Sequence, residues 1–280
     1  MRLCYFIALI VSGMALAPVD SFAHGDVHDS ILRVTAEISQ NPSNATLYFQ
    51  RSELYRVDGD YTNALADLNR AAKVDPSIAR VDFCRGRIQF DSGHLPEALA
   101  LLNKYLAKKP EDTEAFSTRA RVYRKLNEFK KAADDYTTAI SMMHVPNPEL
   151  YIERAEVLKA LGKGEDALRG LDEGIRLLGP LVTFQLPAID LEVFLKRYDA
   201  ALARIDTASA RMQRKETWLM RRADVLKQAG RLEEAQKNYR DALAAIDRLP
   251  PTHRNTRATL DLEQRIRDGL ASVTPPPPQK

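Results

Sequence analysis

Histidine is the side chain best suited to bind a transition metal or move a proton near neutral pH. Two of the five histidines stand close together, in the run His24-Gly25-Asp26-Val27-His28-Asp29. If the chain is cleaved before His24, a terminal histidine offers its amine and its imidazole to one Cu(II), and Asp26 or His28 completes a small N/O site for copper or zinc. A flexible leader that happens to begin with histidine is the plainer reading of the same residues. His94, His144 and His253 lie at turns, far apart in sequence. Cys84 reads as a small packed side chain, since nothing near it in sequence would lower its pKa. No G-x-S-x-G, H-E-x-x-H, P-loop or C-x-x-C pattern occurs, and Gly162-Lys163-Gly164 is a turn between helices rather than a phosphate loop. The expectation is a protein that is not an enzyme and needs no cofactor.

Arginine carries the more regular signal. Arg51, Arg85 and Arg119 are 34 residues apart, Arg154 follows after 35, and Arg222 after a further 68. Such a series is either a ladder for an anionic ligand or a set of seams. In the second case each stem packs between helices and each head pairs with a carboxylate such as Asp67 or Asp134. The seam reading is preferred.

The elements that hold these residues follow the same period. Ala64, Ala98, Ala132, Ala167, Ala201 and Ala235 recur at spacings of 34, 34, 35, 34 and 34, and Pro76 and Pro110 are again 34 apart. Turn glycines fall at Gly59, Gly93, Gly162 and Gly230. Large residues sit seven apart on one helical face, as in Tyr48 and Tyr55, Phe116 and Tyr123, or Tyr151 and Leu158. Tyr61, Leu95, Phe129, Tyr198 and Leu232 each stand three residues before the recurring alanine. This predicts a stacked array of helix pairs, in which no pair is stable by itself. Thr46–Pro76 is the clearest copy. The units are expected at about 45–78, 79–112, 113–147, 148–181, 182–215 and 216–249. Pro187 should kink or shorten the first helix of the fifth unit and make a hinge there. Residues 24–44 give a leader and a capping helix over His28–Gln40, residues 250–273 a second capping helix over Arg257–Val273, and residues 274–280 a proline-rich disordered tail.

Residues 1–23 read as a signal peptide: Arg2, the apolar run Leu3–Ala17, and the small-x-small site Ser21-Phe22-Ala23. That run is shorter than the roughly 20 residues a spanning helix needs, so no stable membrane span is expected after cleavage. The mature chain would begin at His24 in an exported compartment, periplasmic or secreted. Of the two cysteines, Cys4 leaves with the signal, so Cys84 has no partner for a disulfide. The 280 residues carry 41 basic and 38 acidic side chains, a net charge of +3 that is too mild to imply nucleic acid.

The 34-residue helix-turn-helix with large–small–large spacing, a central alanine and a closing proline resembles the tetratricopeptide repeat. The match covers about Ala45–Leu249 and is weakest near Val182. The resemblance implies an all-α, right-handed superhelical solenoid that acts as a protein-binding scaffold through its concave face, formed mainly by the first helix of each pair. Register then places Phe49, Glu53 and Arg56 on that face in the first unit, Arg80, Phe83, Arg87 and Phe90 in the second, and Arg121, Arg124 and Lys125 in the third. Ile152, Glu156 and Lys159 follow in the fourth, and Met220, Asp224 and Lys227 in the last. The implied partner is an extended protein segment with acidic groups and one or two apolar anchors. A Lys/Asn carboxylate clamp of the kind some relatives use is absent, since Phe49 and Glu53 occupy its first positions. The alternative function is a metal-handling accessory protein using His24 and His28.

Overall fold

The computed structural model describes residues 24–78, 80–210 and 212–274, and every described element is an α-helix. The expected signal peptide (1–23), the expected tail (274–280) apart from Thr274, and the side chain of His24 lie outside the described residues.

The chain forms two compact units, divided between His94 and Leu95. The first contains α1 (His24–Gln40), α2 (Ala45–Asp58), α3 (Tyr61–Val74) and α4 (Val81–Asp91). Here α1 packs on α2, α2 on α3, and α3 on α4. The expected capping helix is thus longer by one turn than predicted, and it buries Val27, Ile31, Val34 and Ile38. Asn44 and Asp60 start α2 and α3 by accepting backbone N–H groups with their side chains. Gly59, at φ +84°, ends α2 in the left-handed region.

The second unit runs through α5 (Leu95–Leu106), α6 (Thr113–Lys125), α7 (Phe129–Met142), α8 (Pro148–Ala160), α9 (Gly164–Leu178), α10 (Val182–Phe194), α11 (Tyr198–Ser209), α12 (Glu216–Gln228) and α13 (Leu232–Asp247). The short α14 (Pro251–Arg254) and then α15 (Arg257–Val273) close it. Each helix from α5 to α13 packs on the next, and α15 covers α13 with Ile266 and Val273. The recurring alanines are all fully buried, which lets paired helices approach closely. Gly174 allows a tighter approach still: a Cβ there would stand 2.8 Å from the ring of Phe184 on α10.

Pro187 does not shorten its helix, and the chain does not divide there. α10 runs unbroken from Val182 to Phe194 with Pro187 inside it, and the boundary between units falls at Leu95 instead. Pro187 costs one intrahelical hydrogen bond, to the Thr183 carbonyl. The buried face Phe184, Ala188 and Leu191, packed in one cluster with Leu168 and Leu171, holds the helix through it.

Candidate functional site

The periodic arginines form seams, and the geometry is regular. Arg51 on α2 reaches sixteen residues forward to Asp67 on α3, with Nε and Nη2 donating to both carboxylate oxygens at 2.6 and 2.9 Å. It also reaches sixteen residues back, donating to Thr35 Oγ1 on α1 at 2.9 Å. That contact puts α1 in the register of a second helix, as Asn103 on α5 stands to Arg119. Arg119 repeats the pattern with Asp135 (2.7 and 2.8 Å) and Asn103 (2.8 Å). Arg85 donates to Asn69, and Arg222 to Asp206, again sixteen residues back. Asp134, the sequence candidate, pairs instead with exposed Lys130, because one residue along a helix turns the side chain to another face. In the fifth unit the polarity is reversed. Ala188 stands where arginine recurs, and Arg204 on α11 donates to Glu192 on α10 and pairs with Asp172 on α9.

The faces of the first helices were expected to be basic, and the structure corrects this in both units. In the first, Arg56 pairs with Glu53 and Asp91, and Arg87 with Glu53 at 3.5 Å. Burial works against the charge on Arg56, but the two carboxylates outweigh it and raise its pKa. Phe83 is not an exposed anchor: it is fully buried, with the guanidinium groups of Arg80 and Arg87 4.6 and 5.5 Å from its ring centre. Phe49 and Phe90 are half-buried on α2 and α4. In the second unit, Arg121 on α6 donates to both oxygens of Glu153 on α8 at 3.0 Å and pairs with Glu149 at 3.4 Å. Arg124 donates to Glu156 at 2.7 Å. Arg121 is held charged in the same way as Arg56, by Glu153 and Glu149 against its burial. Glu153 and Glu156 stand 32 residues beyond Arg121 and Arg124 on the next first helix, a spacing that puts acid against base.

Lys125 and Lys159 remain exposed, and Lys159 Nζ lies 5.3 Å from the ring centre of Phe194. Phe194 itself is 49% exposed. Beyond it the first helices frame a cleft of about 510 Å³ that sequence reasoning missed. Val182 and Leu186 of α10, Met220 of α12 and Trp218 give it apolar lining residues, and Arg214, Arg221 and Arg265 line it as well. Val182 and Leu186 are 39% and 40% exposed. Asp190 and Asp224 also line it, but Asp190 is engaged by Arg221 and Asp224 accepts the Tyr239 hydroxyl at 2.6 Å. The weak match of the fifth unit to the repeat was the available signal, since apolar residues there do not fit the helix-pair pattern.

His28 is exposed on α1, and among the described residues no three His, Cys, Asp or Glu side chains gather as a metal site. No described helix is long and apolar enough to cross a membrane.

Stacked helical hairpins with seams of this period define a repeat scaffold. The family described as "Tetratricopeptide repeat" matches residues 20–73, 49–113 and 219–246, so the chain carries tetratricopeptide repeats. It is 30% identical over 94 residues to stress-induced-phosphoprotein 1 of Caenorhabditis elegans, a match covering 34% of this chain and 29% of that protein. Among solved structures it is similar to a tetratricopeptide repeat protein from Parabacteroides merdae, with TM-score 0.53, 17% identity and 87% and 93% of the two chains covered. PilF of Pseudomonas aeruginosa matches with TM-score 0.55 and 16% identity, over 81% of this chain and 99% of that one. At these identities the structural likeness is one of fold. The chain spans less than a third of the length of the curated relatives that head the comparison.

Proposed function

We propose that the protein is a non-catalytic scaffold of an exported compartment that binds an extended segment of a partner protein on the first-helix face of its second unit. The observation that carries this reading is the cleft between α10, α12 and α15. Its lining joins apolar side chains to Arg214, Arg221 and Arg265, and its carboxylates are already engaged. The side-chain Nε of Arg221 is buried without a hydrogen-bond partner among the described residues. A partner segment with an apolar anchor flanked by carboxylates fits that chemistry, since an apolar pocket supplies affinity and arginine selects carboxylate. Lys125 and Lys159, with Phe194 beside Lys159, extend the same face toward α6. In the first unit Phe49, Arg87 and Phe90 offer a smaller surface whose charges are matched internally.

The test is a crosslinking pull-down from the exported fraction with wild type, Val182→Glu/Leu186→Glu and Arg265→Glu. These side chains are not core residues, so folding should be retained and is checked by circular dichroism. Loss of the same partner from both variants is expected; identical partner sets for all three proteins would remove the cleft from consideration. Export is tested by amino-terminal sequencing of protein from that fraction, which should start at His24.

A further inference from the structure

Four hairpin turns of the second unit share one rim. They join α6 to α7, α8 to α9, α10 to α11 and α12 to α13. Contacts run from each to the next. Arg124 donates to Glu156 at 2.7 Å, and Lys159 Nζ lies 5.3 Å from the ring centre of Phe194. Arg197 pairs with Glu165 at 2.7 Å, and Arg231 with Asp199 at 3.0 Å. These pairs engage most of the rim's carboxylates, and Lys131 engages Glu128. Lysines are left over. Lys125, Lys159, Lys163 and Lys196 are exposed, and none has an ion-pair partner among the described residues. Glu233 is the one rim carboxylate likewise unpaired among the described residues.

This rim differs from an ordinary solvated edge. Phe194 and Leu232 project among the lysines, 49% and 48% exposed. Lys196 is held at φ +57°, in the left-handed position that Gly162 and Gly230 take in the turns on either side. A lysine there carries backbone strain that glycine avoids. Lys125 and Lys159 stand in the last turns of their helices, where the helix dipole favours a cation. Lys163 and Lys196 stand just before α9 and α11, at the end where the dipole disfavours one. We propose that the rim docks the protein on an anionic phospholipid surface, with the lysines at the headgroups and Phe194 and Leu232 in the interface. Lysine stems lie along that interface while their ammonium groups reach phosphate, and each lysine near such a surface adds to binding. A protein partner would be anchored by side chains entering hollows. Here apolar side chains project outward, as they do in interfacial anchors. The rim meets the partner-segment face at Lys125, Lys159 and Phe194; Lys163, Lys196 and Leu232 are not part of that face.

The test is co-sedimentation of the full chain with vesicles, either of phosphatidylglycerol and phosphatidylcholine in equal parts or of phosphatidylcholine alone. Its variants change only the three residues outside the partner-segment face, so failure of either reading leaves the other standing. Wild type should bind the mixed vesicles, release them as salt is added, and bind phosphatidylcholine alone at least about tenfold more weakly. Lys196→Gly should lower affinity for the mixed vesicles about fivefold, the effect of one lysine near a charged surface. It should also raise the melting temperature, because glycine relieves the left-handed strain. A purely structural role would not move the two readings in opposite directions. Lys163→Glu/Lys196→Glu should lower affinity more than about a hundredfold, with the fold checked by circular dichroism. Leu232→Ser should weaken binding without changing its salt dependence. Equal binding to both kinds of vesicle, binding to neither, or unchanged affinity in Lys196→Gly overturns the proposal. Capture of polyglutamate in place of the mixed vesicles, lost in the double variant, also overturns it and assigns the rim to an acidic protein. If the double variant does not fold, the Lys196→Gly comparison alone decides.

Discussion

Arg119 and Asp135 lie sixteen residues apart on the two helices of one hairpin and are joined by two hydrogen bonds of 2.7 and 2.8 Å. The hydrogen bonds raise the pKa of Arg119, and burial opposes them without prevailing. The same pair, Arg51 with Asp67, recurs in the first unit. In these two hairpins the pair therefore pins the two helices in a fixed rotation.

Asp135→Ala leaves the Arg119 head largely buried without its carboxylate, and is expected to cost about 2–4 kcal/mol. The neighbouring Asp134→Ala removes only the pair with Lys130, whose side chains are 66% and 81% exposed, and should cost less than about 0.5 kcal/mol. Urea unfolding of the two variants compares adjacent aspartates, and equal losses would show that the seam is not a stabilising contact.

Phe83→Ala should destabilise by about 3–5 kcal/mol, as for truncating a buried aromatic residue. Phe83 is fully buried beneath Arg80 and Arg87. A surface anchor would lose little stability and much partner binding. Unfolding and pull-down of the same variant separate the two roles.

Gly174→Ala gains about 1 kcal/mol in helix propensity but places a Cβ 2.8 Å from two ring carbons of fully buried Phe184. Phe184 also packs edge-on against Tyr151, with ring centres 6.1 Å apart, so it has little room to retreat. Overpacking of this kind costs about 1–3 kcal/mol, and a net loss of melting temperature is expected. A rise would mean that α9 and α10 separate without cost.

Alkaline pH should weaken the fold through Tyr136 and Tyr239. Burial pushes both hydroxyl groups up, helped by the charge of Glu153 at Tyr136 and by the hydrogen bond to Asp224 at Tyr239. Their folded pKa lies above the unfolded value near about 10, so this contribution is complete below about pH 10 and is lost as pH rises through the folded values. Denaturation measured at a series of pH values from neutral to alkaline should show a shallower alkaline decline in Tyr136→Phe than in wild type. Parallel profiles would remove Tyr136 as a source.

The period of Ala64, Ala98 and Ala132 was sufficient to read the helix pairs, because a small residue at a close crossing is required whatever surrounds it. Arg257–Val273 was likewise legible as a closing helix from its apolar spacing alone. Partners were harder to read. The choice between Asp134 and Asp135 depends on the rotation of α7 about its axis, and a one-residue error changes the face. The candidate face failed in a similar way: Arg56, Arg121 and Arg124 look like a basic surface until Asp91, Glu153 and Glu156 are brought alongside by stacking. The weak repeat match of the fifth unit marks residues 182–194 as unusual but does not announce the cleft, since it exists only where α10, α12 and α15 meet.

By itself the sequence determined the class of object: helix pairs, their number and ends, and arginine as the recurring seam. These are encoded by spacing along one helix or between consecutive helices, where geometry is nearly fixed by the 3.6-residue turn. The tertiary structure decided which charges are already satisfied, that Phe83 belongs to the core, and that α10 continues through Pro187. Each of these depends on what a neighbouring helix brings within a few ångströms, and Coulomb attraction and packing act over that distance rather than along the chain.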